Sequence, residues 1–197
     1  MQTYAPLAVS LLRERATFEQ LPQVAVQRVS LEDPALAVMT DLRRVTTITI
    51  DPEAAIENAM RVMVRRNVRL LFVVNVDNEI EGLITATDLL GEKPIQYLSE
   101  NGGKRRDIQV HGIMTPRSRL EVLAYEDVRA ARVGHVLATL QSSRRQHALV
   151  AERDAGGSVT VRGIFSTSQL ARQLGQGVQT SDVVYGFAEI EAAINHR

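Results

Sequence analysis

The stretch that decides the fold is "GLITATDLL", Gly82 to Leu90, together with "GIFSTSQL", Gly163 to Leu170. Each runs apolar from a glycine, stops at Thr or Ser, and three residues later offers Asp88 or Gln169. That pattern is a strand ending in a helix cap: a hydroxyl at the N-cap and an acceptor three positions on form a capping box. Upstream, "VMTD" at Val38–Asp41 matches "IMTP" at Ile113–Pro116. The methionines are 75 residues apart (114 − 39) and the glycines 81 (163 − 82). One unit therefore occurs twice, with a longer hairpin loop and a small change near the helix expected in the second copy.

The elements between these markers repeat as well. "TTITI", Thr46 to Ile50, is β-branched and predicts a strand. Asp51–Pro52 predicts a helix start, Asp as N-cap and Pro at the first helical position. That helix should run to about Asn67 with Ile56, Met60, Met63 and Val64 inward. "RLLFVVNV" reads as a buried strand, "DNE" as a tight turn and "IEGLIT" as the returning strand. In the second copy "RLEVLA" predicts a strand and "EDVRAARVGHVLATLQSS" one helix. "HALVAER" and "VTVRGIFS" predict a hairpin around "DAGGS", and "STSQLARQLG" a closing helix. Each copy has the order β-α-β-β-α and is too small to bury a core well alone, so the two should pack together. The fold class is α+β. The divisions read are 1–33 (helical extension, with Leu7 to Leu21 helical), 34–98 (first repeat), 99–112 (linker), 113–175 (second repeat) and 176–197 (closing helix). In the last segment Val183, Val184, Phe187, Ile190 and Ile194 share a stripe, suited to packing on the repeats or to a dimer interface.

Composition narrows the function. The 197 residues carry 23 basic and 23 acidic side chains, a formal net charge of zero. That balance argues against a broad nucleic-acid surface. There is no cysteine, which removes disulfides and thiolate chemistry. His111, His135, His147 and His196 are scattered without metal-ligand spacing. The longest apolar run, "LLFVV", is far short of the roughly 18 residues of a membrane span, and the N-terminus has no secretory pattern. A soluble cytoplasmic protein is expected.

These motifs resemble the CBS domain family, named after cystathionine β-synthase, over about Pro34 to Gly175. The resemblance rests on Met-Thr-x, the amphipathic helix, the paired strands and the G-φ-φ-[T/S]-x-x-D finish. It implies a tandem pair that binds an adenosine-containing ligand between the repeats: AMP, ADP, ATP, NAD or S-adenosylmethionine. It further implies a regulatory and not an enzymatic role, such as energy sensing, a homodimer, and an unidentified regulated protein as partner. On this resemblance Asp88 accepts the ribose hydroxyls and Thr85 sits near ribose or phosphate. A carboxylate has two acceptor oxygens for a diol's two donors, so the chemistry is sound. Backbone from the partner repeat, Thr115 through Leu120 and Glu121 with Arg117, would meet the base. Phosphate would fall to Arg69, one place before the family's basic position at Leu70, and to His147 near the same position of the second copy. The second site would centre on Ser166. There Gln169 keeps the capping box but offers a single acceptor oxygen, so one competent site per chain is expected. The alternative is a ligand-free scaffold of the same fold, in which both boxes only cap.

Overall fold

The computed structural model describes residues 27–175. The two terminal helices expected from sequence lie outside these residues. Strands β1 (Thr40–Asp41) to β8 form two four-stranded sheets, and each carries one strand from the other half of the chain. In the first sheet β2 (Thr49–Ile50) runs parallel to β3 (Leu70–Val74), which pairs antiparallel with β4 (Ile80–Thr85); β5 (Thr115–Pro116) completes it. In the second, β6 (Val122–Ala124) runs parallel to β7 (His147–Arg153), which pairs antiparallel with β8 (Val159–Ser166); β1 completes that one. The units are thus a pseudo-twofold pair that exchange their first strands.

The exchange explains the repeat markers. A Cβ on Gly82 would lie 2.7 Å from both the Met114 sulfur and the Thr115 carbonyl oxygen, and one on Gly163 would strike the Met39 side chain. Only glycine lets the crossing strand and its methionine come this close. The Met and Gly markers are two halves of one contact made twice.

Each sheet turns one face to helices. Helix α1 (Ile56–Arg66) buries Ile56, Ala59, Met60 and Met63. It ends at Asn67, left-handed at φ 55°, a conformation asparagine tolerates. Helix α2 (Ala86–Leu90) follows β4 directly, and Leu89 is fully buried. Helix α3 (Lys93–Asn101) continues past it. In the second unit α5 (Tyr125–Ala130) and α6 (Val133–Ser143) cover the sheet with α7 (Thr167–Leu174). Phe165, Leu140 and Leu170 lie in that core. Between the sheets, Leu70, Phe72, Leu83 and Leu149 form a third apolar cluster shared by both units.

Three expectations are corrected. The first helix starts at Ile56 and not at Pro52. Asp51 caps a turn instead, accepting from the Glu53 N–H at 2.7 Å. The backbone of Ala55 and Ile56 then bridges the incoming chain, Ile56 N–H donating to the Ile108 carbonyl at 3.0 Å. The second helix is broken for the same reason. Ala131 and Arg132 are extended: Arg132 bridges Pro34, the Ala131 carbonyl accepts from the Ala35 N–H at 3.0 Å, and the Val133 N–H donates to the Asp33 carbonyl at 2.9 Å. Finally, the second hairpin has a five-residue loop, Asp154–Ser158, and gains length in its strands: seven and eight residues against five and six.

The stretch read as linker holds α4 (Val110–Ile113), and Ile108, Val110 and Ile113 join the first core. Ile108→Ala is expected to lower unfolding free energy by about 2–4 kcal/mol, as for a core isoleucine. Urea unfolding checks this, and a change below about 1 kcal/mol, typical of a solvated linker, would contradict it.

Candidate functional site

A cleft of about 290 Å³ lies between the units, at the C-terminal end of β4. Its apolar walls are Leu83, Leu120 and Leu149. The first unit contributes Thr85, Thr87 and Asp88 from the β4–α2 junction. The second contributes Thr115 from the exchanged strand β5, Glu121, Arg144, Arg145 and Gln146 from the turn between α6 and β7, and His147 at the start of β7.

The capping box read in Thr85 and Asp88 is present. The Asp88 N–H donates to Thr85 Oγ1 at 3.2 Å, and Asp88 Oδ2 accepts from the Thr85 N–H and hydroxyl, both at 2.8 Å. Asp88 Oδ1 faces Lys93 Nζ at 2.7 Å. Thr87 Oγ1 donates across the cleft to Gln146 Oε1 at 3.2 Å.

The pseudo-twofold mate differs. Ser166 and Gln169 form no capping box; α7 has no side-chain cap, and the Ser166 hydroxyl pairs with that of Ser168 at 2.8 Å. The longer Gln169 amide reaches instead to the exchanged strand β1. Its Oε1 accepts from Thr40 Oγ1 at 2.9 Å and its Nε2 donates to the Val38 carbonyl at 3.4 Å. At this locus Gln169 is partnered by the exchanged strand. In the cleft, Thr115 holds the place of Thr40, and both acceptor oxygens of Asp88 are taken by Thr85 and Lys93 instead.

Of the residues singled out from sequence, Thr85, Asp88, Thr115, Leu120, Glu121 and His147 line the cleft together. Arg117, Ser166 and Arg69 do not line it. Arg117 is exposed on the turn after β5, and Ser166 sits at the mate locus. Arg69 lends its carbonyl to the Ala86 N–H at 2.9 Å, as Gln146 does for Thr167 at 3.0 Å. Its guanidinium still reaches His147 electrostatically.

Burial first, and Arg69 second, push the His147 pKa down to about 4, with Asp88 opposing. At neutral pH His147 therefore meets the cleft as an uncharged imidazole. A pKa depressed below the ordinary 6.5 makes the folded state resist protonation. The stability contribution is intact above about pH 6.5 and lost as pH falls toward 4. His147→Gln is expected to flatten this part of the pH dependence, read as urea midpoints; an unchanged slope would contradict it.

Thr87, Arg144, Arg145 and Gln146 were not read as site residues. Arg144 is left-handed at φ 52°, the mate of Asn67, and Arg145 Nη2 pairs with Glu121 Oε2 at 3.1 Å. They place two guanidinium groups at the cleft. The repeat offset marks them as helix-end residues, but only the packing brings the second unit's turn to the first unit's cap.

Residues 36–94 match the family model of the CBS domain. That segment, most of the first unit, is similar to the CBS domain. Among solved structures, it resembles an uncharacterized conserved protein from Pyrococcus horikoshii, with 25% identity, TM-score 0.53, and coverage of 77% of this chain and 99% of that one. It also resembles a protein with CBS domains from Burkholderia ambifaria, with 19% identity, TM-score 0.50, and coverage of 71% and 89%. A further CBS domain structure is 23% identical with TM-score 0.50, covering 71% and 96%. No curated protein matches the chain. Among the described residues, no helix is long and apolar enough to cross a membrane, and no group of three or more His, Cys, Asp or Glu is placed to hold a metal ion.

Proposed function

We propose that the chain is a regulatory module that binds an adenosine-containing ligand, such as AMP, ADP, ATP, NAD or S-adenosylmethionine, in the cleft built around Asp88, without catalysing a reaction. The observation that carries this reading is the asymmetry between the two loci. Thr40, Gln169 and the Val38 carbonyl satisfy one another in the second unit, whereas Thr115 and Asp88 line an open cleft in the first. Leu83, Leu120 and Leu149 supply apolar walls for a base. The carboxylate suits ribose hydroxyls, and Arg144 and Arg145 suit phosphate. Pairing into a homodimer and control of a partner protein belong to the same proposal.

One observation favours the second reading, a scaffold without ligand: Thr85 and Lys93 already occupy both oxygens of Asp88. Thermal unfolding with each adenosyl compound separates the two. At 100 times the dissociation constant a ligand adds about 2.7 kcal/mol, a rise of roughly 5–10 °C for a chain of this size. A rise with at least one compound supports the ligand reading, and no rise with any of them supports the scaffold.

A further inference from the structure

Asp88 has little acceptor capacity left. A carboxylate offers roughly four lone-pair positions. The Thr85 N–H and hydroxyl take two on Oδ2, at 2.8 Å each, and Lys93 Nζ takes one on Oδ1 at 2.7 Å. About one remains, while a ribose diol brings two donors. Accepting both requires one present donor to leave. The Thr85 N–H is fixed by the cap, and its hydroxyl is held in the same box. Lys93 is different. Its side chain is 41% exposed, and its Nζ has a second partner, the Ile113 carbonyl at 3.0 Å.

The mate locus shows what Lys93 is for. Ile113 precedes Met114–Thr115 as Val38 precedes Met39–Thr40. Gln169 reaches the Val38 carbonyl with its own amide. An aspartate cannot donate, so in the first unit a separate cation spans the carboxylate and the equivalent carbonyl.

We propose that Lys93 is a specificity-determining residue: an internal occupant of Asp88 that sets how many ribose hydroxyls the cleft accepts. This rests on the adenosyl-ligand reading above. With Lys93 in place, the second hydroxyl's bond is offset by loss of the ion pair, so the wild type gains little from a full diol. A diol that takes Oδ1 moves Lys93 onto the Ile113 carbonyl and solvent.

The test is the ratio of dissociation constants for AMP and 2′-deoxy-AMP, measured by calorimetry on the full chain as wild type, Lys93→Met, Lys93→Gln and Lys93→Arg. The two probes carry the same charge, so a changed field at the cleft cancels in the ratio. Lys93→Met and Lys93→Gln are expected to widen the preference for AMP about tenfold, the size of one charge-assisted hydrogen bond; Lys93→Arg keeps the wild-type ratio. Lys93→Gln serves if Lys93→Met does not fold. Equal ratios in all four proteins overturn the role of Lys93 and leave the ligand reading standing. Absence of AMP and 2′-deoxy-AMP binding by every one of them overturns this inference, and the thermal screen with the other adenosyl compounds then decides the wider reading.

Discussion

Gly82→Val is expected to destabilise the protein by about 3 kcal/mol or more, and Gly82→Ala by about 1–3 kcal/mol, the range for overpacking a tight contact. The reason is the partner that a side chain meets. A Cβ at Gly82 lies 2.7 Å from the Thr115 carbonyl oxygen as well as from the Met114 sulfur. The sulfur ends a flexible side chain and can swing away. The carbonyl belongs to β5, whose residues pair with Gly82 and Leu83, so it moves only if the exchanged strand moves. Met114→Ala should therefore fail to rescue Gly82→Ala. The mate position is the internal comparison. At Gly163 the nearest obstacles are all atoms of the Met39 side chain, so Gly163→Ala should cost less, and Met39→Ala should relieve it. Urea unfolding of the single and double variants checks both halves. Equal costs at Gly82 and Gly163 would contradict the carbonyl argument.

Asp88→Ala is expected to have two separable effects. Without ligand it removes the acceptor of the Thr85 N–H and hydroxyl and strands Lys93. Loss of a cap and of a partly buried ion pair should cost about 1–3 kcal/mol. With ligand, the ribose loses its charged acceptor; the second hydroxyl's bond being offset by the Lys93 ion pair, the one net hydrogen bond to a charged group is worth about tenfold or more in affinity. Asp88→Asn separates the effects. It keeps an acceptor oxygen for the cap but loses the charge, so it should recover part of the stability while binding stays weak. Recovery of binding along with stability would reduce Asp88 to a cap and favour the scaffold reading.

Local pattern carried much of this architecture. Strands β7 and β8 span the segments read as a hairpin around "DAGGS", and the Thr85–Asp88 box forms as its spacing implies. The misreadings share one physical origin, contacts between segments distant in sequence. Asp51–Pro52 has the chemistry of a helix start, but the bridge from Ile108 and Gln109 to Ala55 and Ile56 delays the helix. Ala131 and Arg132 sit within a helical pattern, yet Pro34 and Ala35 claim their backbone. Ile108 and Val110 hide among polar neighbours, although both are fully buried. Ser166 and Gln169 have the spacing of a box, but the extra methylene carries the amide to Thr40 and Val38. For the cleft, the first unit's own residues were readable as a motif. Arg144, Arg145 and Gln146 were not, because nothing local says which turn faces which cap.

The central claim is one competent ligand site per chain, built on the charge of Asp88. Isothermal titration of the wild type and Asp88→Asn, with the adenosyl compound that gives the largest thermal shift, tests it most directly. The expected result is one site per chain in the wild type and a loss of about tenfold or more in affinity in Asp88→Asn. Two equal sites per chain, or a wild-type affinity in Asp88→Asn, would contradict it.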